Sequence, residues 1–512
     1  MKNNSYSQNL FKKLFGINLY VFLSVMLFAP CIFPQGSEEA LSFDGFDGSA
    51  GEYIDIGNDP SLAITGDLTV ELWFKIDAIP PSPGQTLVAF GAVDTPPGEQ
   101  QENNTLYSIS VNSSGQITAI HENGNGFDGA NKSSATTISA GVWNYVAVVR
   151  DVAANNYKFY VNGKNEADNP HTYSGGDPNG GASSSGTIAS FDTLSAVFFD
   201  GTIDEVRIWN VTRSLTEIRT NVCRKLTGAE GGLVAYYRMD GTSGTTVTDA
   251  TGNGNTGTMV NMEPASDRVT SGAALGDDSN FLYTSNWTGQ SVNLAHSDGD
   301  NLDVSNVAGS PPPDGVHIYR IDEPPNVTSA SGNIVSLDLQ RYWGVFAANG
   351  TSPTYDIVYD YTGHPGINNE TTLDLARRAD NSVTSWTETD AALDEANNTL
   401  TLTGESGTEY ILGTESGENP LPITLTSFTA RVRSGQVLLE WVTESEINNL
   451  GFEIWRSVDD TLHFELLTGY EDNPELRGAG NSNSKNYYNF ADLSAKVGHQ
   501  YYYTLWDVAL SG

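Results

Sequence analysis

Lysine and arginine are scarce in this sequence, and the shortage excludes several classes of partner. The 512 residues include 25 Lys and Arg against 63 Asp and Glu, for a net charge of -38. A nucleic-acid-binding protein needs clustered basic residues to meet the phosphate backbone, so the composition rules out a nucleic-acid partner. Anionic membrane surfaces are disfavoured for the same reason. The abundant carboxylates are instead hard oxygen ligands of the kind that calcium takes.

Cysteine is also nearly absent, with Cys31 and Cys223 as the two in the chain. Three lysines precede an apolar run at 14–33 without a charged residue, which is the layout of a signal peptide. We therefore predict a signal peptide over residues 1–36 and a secreted or cell-surface protein, without stable membrane insertion after cleavage. A membrane anchor is the alternative interpretation. Cys223 then lacks a partner, so we expect a free, buried thiol and no internal disulfide.

Helical periodicity is nearly missing as well. Short runs rich in Val, Ile, Tyr, Phe and Trp recur between Gly, Asn, Asp and Ser clusters, which predicts an all-β, multidomain β-sandwich protein. Asn162-Gly163 predicts a type I′ hairpin turn, and Ser214 with Glu217 has the spacing of a helix-capping box. The clearest strand candidates are residues 68–76, 107–111, 142–150, 157–161, 205–209 and 233–239.

Composition shifts near residues 263–274 and 419–422 divide the chain. We predict three domains after the signal peptide, at residues 40–262, 270–418 and 421–512. The middle one has strand-like segments at residues 315–321, 334–339, 343–347 and 356–361, which favour a second, accessory β-sandwich.

Several segments of the first domain match one family in order. They are residues 40–45 (ALSFDG), 53–57 (YIDIG), 68–74 (LTVELWF), 143–150 (WNYVAVVR), 157–164 (YKFYVNGK), 201–210 (GTIDEVRIWN), 232–240 (GLVAYYRMD) and 249–257 (DATGNGNTG). Together they resemble a laminin-G-like, pentraxin-like jelly roll of the concanavalin A type. The resemblance implies two packed antiparallel sheets. Because lectins, adhesion modules and glucanases share this fold, it leaves function open.

The last domain is similar to a fibronectin type III module, with Trp441 and the Tyr501/Tyr503 strand at matching positions. Its opening, LPITLTSF at 421–428, resembles the segment before the sorting tails of secreted Bacteroidetes proteins that use type IX secretion. The predicted sixth strand, 501–508, is followed by four residues. We therefore expect a truncated module that lacks its seventh strand and a natural protein that continues to a sorting tail.

Aromatic residues within alternating apolar runs are expected to be structural. We predict that Trp73, Trp143 and Trp209 point into the sandwich. A glycan site would use exposed aromatic and amide side chains in loops, such as Phe127 within residues 123–131. A solvated turn is the alternative interpretation of that loop.

Two aspartates are the candidate metal ligands. Asp44 lies beside the first strand and Asp204 precedes the strand that ends at Trp209. The jelly-roll resemblance implies structural Ca2+ near these segments, held by carboxylates and backbone carbonyls. The alternative is that both aspartates cap turns or accept backbone N–H bonds. Residues 249–257 lack the distal Glu of an EF-hand and are predicted to be a turn.

A catalytic pair of carboxylates is missing from the motif where this fold would carry one. Glu52 and Asp55 resemble half of the Glu-Ile-Asp-Ile-Glu motif of jelly-roll glucanases, but Gly57 stands at the position of the second glutamate. Nucleophile-elbow and zinc-protease motifs are absent from the sequence as well. We therefore predict no catalytic residues and a non-enzymatic protein.

The sequence thus favours a binding or adhesion protein whose jelly roll engages an extracellular glycan or a surface protein, with calcium as a stabilising ion. The ligand-binding residues are not identified by the sequence. A glycoside hydrolase, or the targeting part of a polysaccharide-degrading enzyme, is one alternative, and a structural surface protein without a ligand is another.

Overall fold

The computed structural model describes most of the chain. The predicted signal peptide and Phe127 lie outside the described residues. The described residues are 39–46, 51–91, 105–123, 130–178, 185–191, 197–241, 243–364, 367, 369–415, 424–433, 436–458, 464–482, 485–496 and 499–509. Across these ranges, none of the helices has both the length and the apolar character needed to span a membrane.

Among the described residues, the first part of the chain forms a jelly roll of seventeen strands and two short helices. Its strands and helices are β1 Glu39–Asp44, β2 Tyr53–Gly57, β3 Leu68–Ile76, β4 Gln85–Phe90, β5 Tyr107–Val111, β6 Gln116–His121, β7 Ala130–Thr137, β8 Asn144–Asp151, β9 Asn156–Val161, β10 Lys164–Asn165, β11 His171–Thr172, β12 Gly186–Ile188, β13 Asp200–Trp209, α1 Leu215–Val222, β14 Leu233–Tyr237, β15 Thr246–Val247, β16 Gly257–Val260, α2 Pro264–Asp267 and β17 Arg268–Thr270.

These strands form two sheets. The first sheet has the order β10-β9-β8-β3-β13-β1-β17, with β11 beside β9 and β14 beside β13. The second sheet has the order β15-β16-β2-β12-β4-β5-β6-β7. An apolar core between them includes Ile54, Leu72, Phe74 and Ile109, each fully buried. Because alternate residues of a strand face opposite sides, the inward half of each strand is apolar and the outward half is free to be polar.

Several local predictions are confirmed. Strands β3 and β5 have the predicted bounds. Asn162 and Gly163 take φ angles of 52° and 70°, as the predicted hairpin turn between β9 and β10 requires. Ser214 caps α1 through the predicted capping box with Glu217, and the helix runs for eight residues.

The second sandwich follows directly. Its elements are β18 Asp278–Tyr283, β19 Ser291–Ala295, β20 Asn301–Ala308, β21 Gly315–Ile321, β22 Ala330–Ser331, β23 Ser336–Leu337, β24 Tyr342–Ala348, β25 Thr354–Asp360, a 3-10 turn Glu370–Thr372, β26 Leu373–Arg378, β27 Trp386–Glu388, β28 Ala392–Asp394, β29 Thr399–Glu405 and β30 Glu409–Thr414. One sheet has the order β18-β21-β24-β30-β26-β27-β22, and β23 also pairs with β30 in this sheet. The other sheet has the order β19-β20-β25-β29-β28.

The second sandwich covers the outward side of the first jelly-roll sheet. Trp73 belongs to a buried cluster that also contains Tyr145 of β8, Val222 of α1 and Tyr319 of β21. The prediction that Trp73 points into the sandwich is therefore wrong, although the side chain is fully buried. Alternation along β3 shows that one face is apolar but not that a distant part of the chain packs on the other.

The other two tryptophans depart from the same prediction. Trp209 is fully buried in a small cluster with Leu226, Leu233 and Tyr236, outside the core between the sheets. Trp143 is partly buried and packs against the cluster that contains Trp73. All three rings thus belong to contacts on the outward side of the jelly roll.

The C-terminal module is organised around one long strand. Its elements are β31 Thr424–Arg433, β32 Gln436–Val458, β33 Glu465–Gly469, a 3-10 turn Pro474–Leu476, β34 Arg477–Ser482, β35 Asn486–Asp492 and β36 Tyr501–Ala509. The first half of β32 pairs with β31 and β35, and the second half pairs with β33 and β36. Trp441, Phe452 and Ile454 form the core between the two halves.

Candidate functional site

The outward side of the second jelly-roll sheet, here called the open face, is built largely from small polar side chains. The register defines one continuous outward row across seven strands. The row runs Thr258, Asp55, Thr187, Ala89, Ser108, Ile120 and Asn131. The neighbouring inward row contains Ile54, Ile188, Val88 and Ile109 and packs into the core. Since adjacent residues alternate in direction, the polar row faces away from that core.

The end of the open face at Thr258 and Asp55 is both accessible and charged. Thr258 and Asp55 are exposed and Thr187 is half-buried, whereas Ala89 and Ser108 in the middle are buried. Hydroxyl groups can both donate and accept hydrogen bonds, and a carboxylate accepts only. This end therefore offers mixed hydrogen-bonding groups around one negative charge.

An aromatic cluster adjoins the same end. Phe46 stacks on Phe198 with ring centroids 5.9 Å apart and planes at 12°, and Tyr53 lies 6.2 Å from Phe198. Half of the Phe46 side chain is exposed, at 50%. A Cβ at Gly51 would come within 2.3 Å of the Phe198 ring, so glycine is required for this ring to rest on the backbone. The exposed ring of Phe46 is therefore supported by the ring of Phe198.

Tyr53 connects the aromatic cluster to Asp55. The two residues are two positions apart on β2, which places both side chains on the open face. Burial, followed by the charge of Asp55, raises the pKa of the Tyr53 hydroxyl. Oδ1 of Asp55 accepts the N–H of Gly57 at 2.8 Å and the hydroxyl of Ser185 at 2.9 Å. Among the described residues none donates to its Oδ2, so this oxygen can accept a hydrogen bond from a ligand.

We call this group the Asp55 patch. It combines an exposed aromatic ring, a carboxylate and hydroxyl groups, which together suit a ligand with apolar faces and a polar rim. Its members are Phe46, Tyr53, Asp55, Thr187, Phe198 and Thr258.

The structure separates the two predicted metal ligands. Asp44 is exposed at the end of β1, where it pairs with Asp200. Asp204 lies four residues further along β13, which corresponds to about 13 Å along the strand. A single calcium ion needs ligand oxygens within about 2.6 Å of it, so Asp44 and Asp204 cannot share an ion.

The environment of Asp204 is that of a satisfied buried carboxylate. Its side chain is 1% exposed. Oδ2 accepts the Ser271 hydroxyl at 2.6 Å and Oδ1 accepts the N–H of Glu205 at 2.8 Å. Burial, followed by the charges of Glu205 and Asp240, raises the pKa of Asp204 well above its usual range. These contacts match the alternative interpretation, in which the aspartate accepts backbone and hydroxyl protons.

Carboxylates do gather near Asp44. Burial raises the pKa of Asp200, and the charges of Asp77 and Asp44 raise it further. The N–H of Asp44 donates to Oε2 of Glu52 at 2.7 Å. The Asp44 end of β1 is therefore acidic and accessible, next to Phe46.

Two groups of side chains in the second sandwich bring metal-ligand atoms together among the described residues. The first is His296, Asp298 and Asp300. The guanidinium of Arg341 lies within it and donates to Oδ2 of Asp298 and Oδ1 of Asp300, both at 2.7 Å. The cation is thus supplied by the chain itself, and we interpret the group as an ion-pair network.

The second group is Asp374, Glu388 and Glu415. Oδ1 of Asp374 accepts the N–H of Ala391 at 2.7 Å and Oδ2 accepts the N–H of Asp390 at 3.1 Å. Asp374 is therefore engaged in holding the turn before β28.

Sequence reasoning missed the Asp55 patch. The sequence points to Asp55 through the glucanase-like motif, but it gives no signal that Phe46 and Phe198 belong to the same patch. One signal was available, because Tyr107-Ser-Ile-Ser-Val111 alternates apolar and hydroxyl residues and so predicts a strand with a polar outward face. The positions of Phe46 and Phe198 depend on contacts between loops 150 residues apart, for which the sequence gives no comparable pattern.

Residues 47–219 match the family model described as the concanavalin A-like lectin/glucanases superfamily, a laminin G type. These residues form a concanavalin A-like jelly-roll domain, as the sequence resemblance predicted. No curated protein matches the chain.

Solved structures with a similar fold come from several organisms. A putative carbohydrate binding protein from Bacteroides ovatus is 21% identical at a TM-score of 0.33, with 44% of this chain and 59% of that chain covered. The heptameric SAP-like pentraxin of Limulus polyphemus is 15% identical at 0.27, with 36% and 81% covered. The CBM40 module of the Ruminococcus gnavus IT-sialidase, bound to alpha2,3 sialyllactose, is 17% identical at 0.28, with 36% and 97% covered.

Proposed function

We propose that the protein is a secreted or cell-surface glycan-binding protein that holds a saccharide on the Asp55 patch. The observation that carries the proposal is the stack of exposed Phe46 on Phe198, which Tyr53 links to Asp55 along β2. Among the described residues, none donates to Oδ2 of Asp55. A sugar ring presents apolar C–H groups on its faces and hydroxyl groups on its rim. The ring of Phe46 suits the face, and Asp55 with Thr187 and Thr258 suits the rim.

The location of the patch supports the same proposal. The first sheet is covered by the second sandwich through the cluster around Trp73 and Tyr319, so its outward face is not accessible to a ligand. The open face of the second sheet is the alternative surface on this domain. The family description of the domain also covers lectins and glucanases, which share saccharides as ligands.

We infer binding without hydrolysis. Glycoside hydrolysis uses two carboxyl groups about 5 to 9.5 Å apart on either side of the scissile bond. Asp55 is the one carboxylate of the outward row. Glu52 directly precedes β2, three residues from Asp55, and its Oε2 already accepts the N–H of Asp44. Incubation of the chain with each bound glycan should release no reducing ends. Release that disappears in Asp55→Asn would instead establish a glycosidase.

We further infer that the C-terminal module is of the fibronectin type III kind. The two sheets that share β32 and the fully buried Trp441 support this inference. Adhesion, calcium binding and type IX export remain predictions from the sequence.

A glycan array with the full chain tests the proposed function. We expect binding to a restricted set of glycans and at least about tenfold weaker binding by Phe46→Ala, which is the scale of one aromatic anchor. Tyr487→Ala removes another exposed aromatic side chain, 74% exposed on the C-terminal module, and serves as the matched control. Equal binding by the wild type and Phe46→Ala would refute the assignment of the patch.

A further inference from the structure

The C-terminal module carries two tryptophans on the outside of a sheet. In β32, Phe452 and Ile454 point into the core, so the alternate residues Glu453 and Trp455 point outward. In β36, Leu505 packs against the core and Trp506 points outward. Neither tryptophan belongs to the core cluster, and both rings are half-buried.

The two rings lie beside each other. Their centroids are 5.5 Å apart and their planes meet at 33°. Register places Trp455 between Leu466 of β33 and Thr504 of β36, and Trp506 opposite Glu453. Leu466 is 48% exposed. An aromatic and aliphatic surface of this kind on the solvent side of a sheet is typical of a binding surface.

Polar groups frame this surface. Nε1 of Trp455 donates to Oε2 of Glu453 at 3.0 Å, which satisfies the indole N–H and fixes the ring. Thr504 and Glu453 contribute a hydroxyl group and carboxylate oxygens beside the rings.

The charge of this surface restricts the ligand. On this side of the sheet Glu453 lies opposite Trp506, and the exposed Arg477 lies opposite Gly451, so one charge of each sign is present. The whole chain carries a net charge of -38. An anionic ligand would be repelled. A flat apolar protein partner would have to cover the carboxylate of Glu453 without supplying a partner for it, which costs free energy.

We propose that Trp455 and Trp506 form a second glycan-binding platform, specific for neutral polysaccharides whose pyranose rings stack on the two indoles. The two ring centres accommodate consecutive sugar units, with the sugar hydroxyls directed to Glu453 and Thr504. This platform is independent of the Asp55 patch, so a chain that uses both holds a polysaccharide at two points.

Affinity electrophoresis of the full chain tests the platform. The gels contain a neutral polysaccharide (galactomannan, xyloglucan, laminarin or dextran) or anionic polygalacturonate. The background is a Phe46→Ala/Asp55→Asn chain, in which the Asp55 patch is disabled. We expect at least one neutral polysaccharide to retard this chain, and Trp506→Ala to lower the association constant at least tenfold. The matched control Tyr487→Ala should leave it unchanged.

A second measurement avoids substitution at the platform. N-bromosuccinimide oxidises accessible indoles, and peptide mass spectrometry reports the oxidation of Trp455 and Trp506 separately. The retarding polysaccharide should slow the oxidation of both at least fivefold. Retardation by no neutral polysaccharide, equal retardation of the Trp506→Ala chain, or unchanged oxidation would overturn the proposal. The effect of Phe46→Ala on glycan binding tests the Asp55 patch alone. The platform test already uses a chain without that patch, so the two proposals can fail separately.

Discussion

The hydroxyl of Tyr283 donates to the carbonyl oxygen of Asn162 at 2.7 Å, so the second sandwich is bonded to the tip of a jelly-roll hairpin. The same hydroxyl lies 2.8 Å from Nε2 of His317, which must donate because the tyrosine proton is already used. A Cβ at Gly163 would come within 2.0 Å of the Tyr283 oxygen. The hairpin turn therefore has both the φ angles and the small side chain that this contact requires.

Tyr283→Phe should destabilise the chain by about 1 to 3 kcal/mol, because it leaves the carbonyl of Asn162 and the N–H of His317 buried without partners. Urea unfolding measures the change. Tyr487→Phe, at a tyrosine that is 74% exposed, should be neutral. Equal midpoints for wild type and Tyr283→Phe would show that the contact contributes nothing.

His317 should make the chain sensitive to acid. Burial, followed by the charge of Arg219, lowers the pKa of His317 to about 3. In the unfolded chain this imidazole takes up a proton near pH 6.5, so stability falls as the pH is lowered below 6.5, by up to about 1.4 kcal/mol per pH unit. His317→Gln can retain the donor to Tyr283 but does not titrate. Urea midpoints between pH 6.5 and 4.5 should fall more steeply for wild type than for His317→Gln, and parallel slopes would contradict this.

Cys223 is free and fully buried, as the sequence predicted. Burial raises the pKa of its thiol well above the usual range, so the reactive thiolate is suppressed. In a Cys31→Ser chain, Ellman's reagent should label the native protein at least about a hundredfold more slowly than the urea-unfolded protein, since labelling requires opening of the structure. Rapid native labelling would place the thiol at the surface.

Calcium binding remains a prediction, and the structure restricts which aspartates could hold the same ion. Any ion should raise the melting temperature of the chain relative to EDTA, because it binds the folded state. Asp44 and Asp204 lie too far apart to share an ion. If calcium raises the melting temperature through a single site, Asp44→Ala and Asp204→Ala should therefore not both abolish the increase. An unchanged melting temperature in millimolar calcium would remove calcium from the account. Loss of a one-site shift in both variants would contradict the observed register.

Local sequence patterns predicted much of the jelly roll. The alternation of residues 68–76, the Asn162-Gly163 turn and the Ser214 capping box depend on neighbours in the sequence, and all three are present. The direction of Trp73 was not predictable in this way, because it depends on the packing of the second sandwich. Local alternation identifies two faces of a strand but not what covers each face.

The candidate site required long-range register. Thr258, Asp55 and Thr187 become neighbours only when β16, β2 and β12 are paired, over 200 residues of sequence. The jelly-roll resemblance suggests both Asp44 and Asp204 as calcium ligands. Their register, with Asp44 opposite Asp200, separates them.

The most direct test of the central claim is isothermal titration of the full chain with the strongest glycan from the array. Asp55→Asn keeps the size of the side chain but removes the charge and replaces an acceptor oxygen with an N–H donor. We expect at least about tenfold weaker binding, or about 1.4 kcal/mol. Asp77→Asn, at an exposed aspartate outside the patch, should bind as the wild type does. Equal affinities for the wild type and Asp55→Asn would show that the saccharide does not bind at the Asp55 patch.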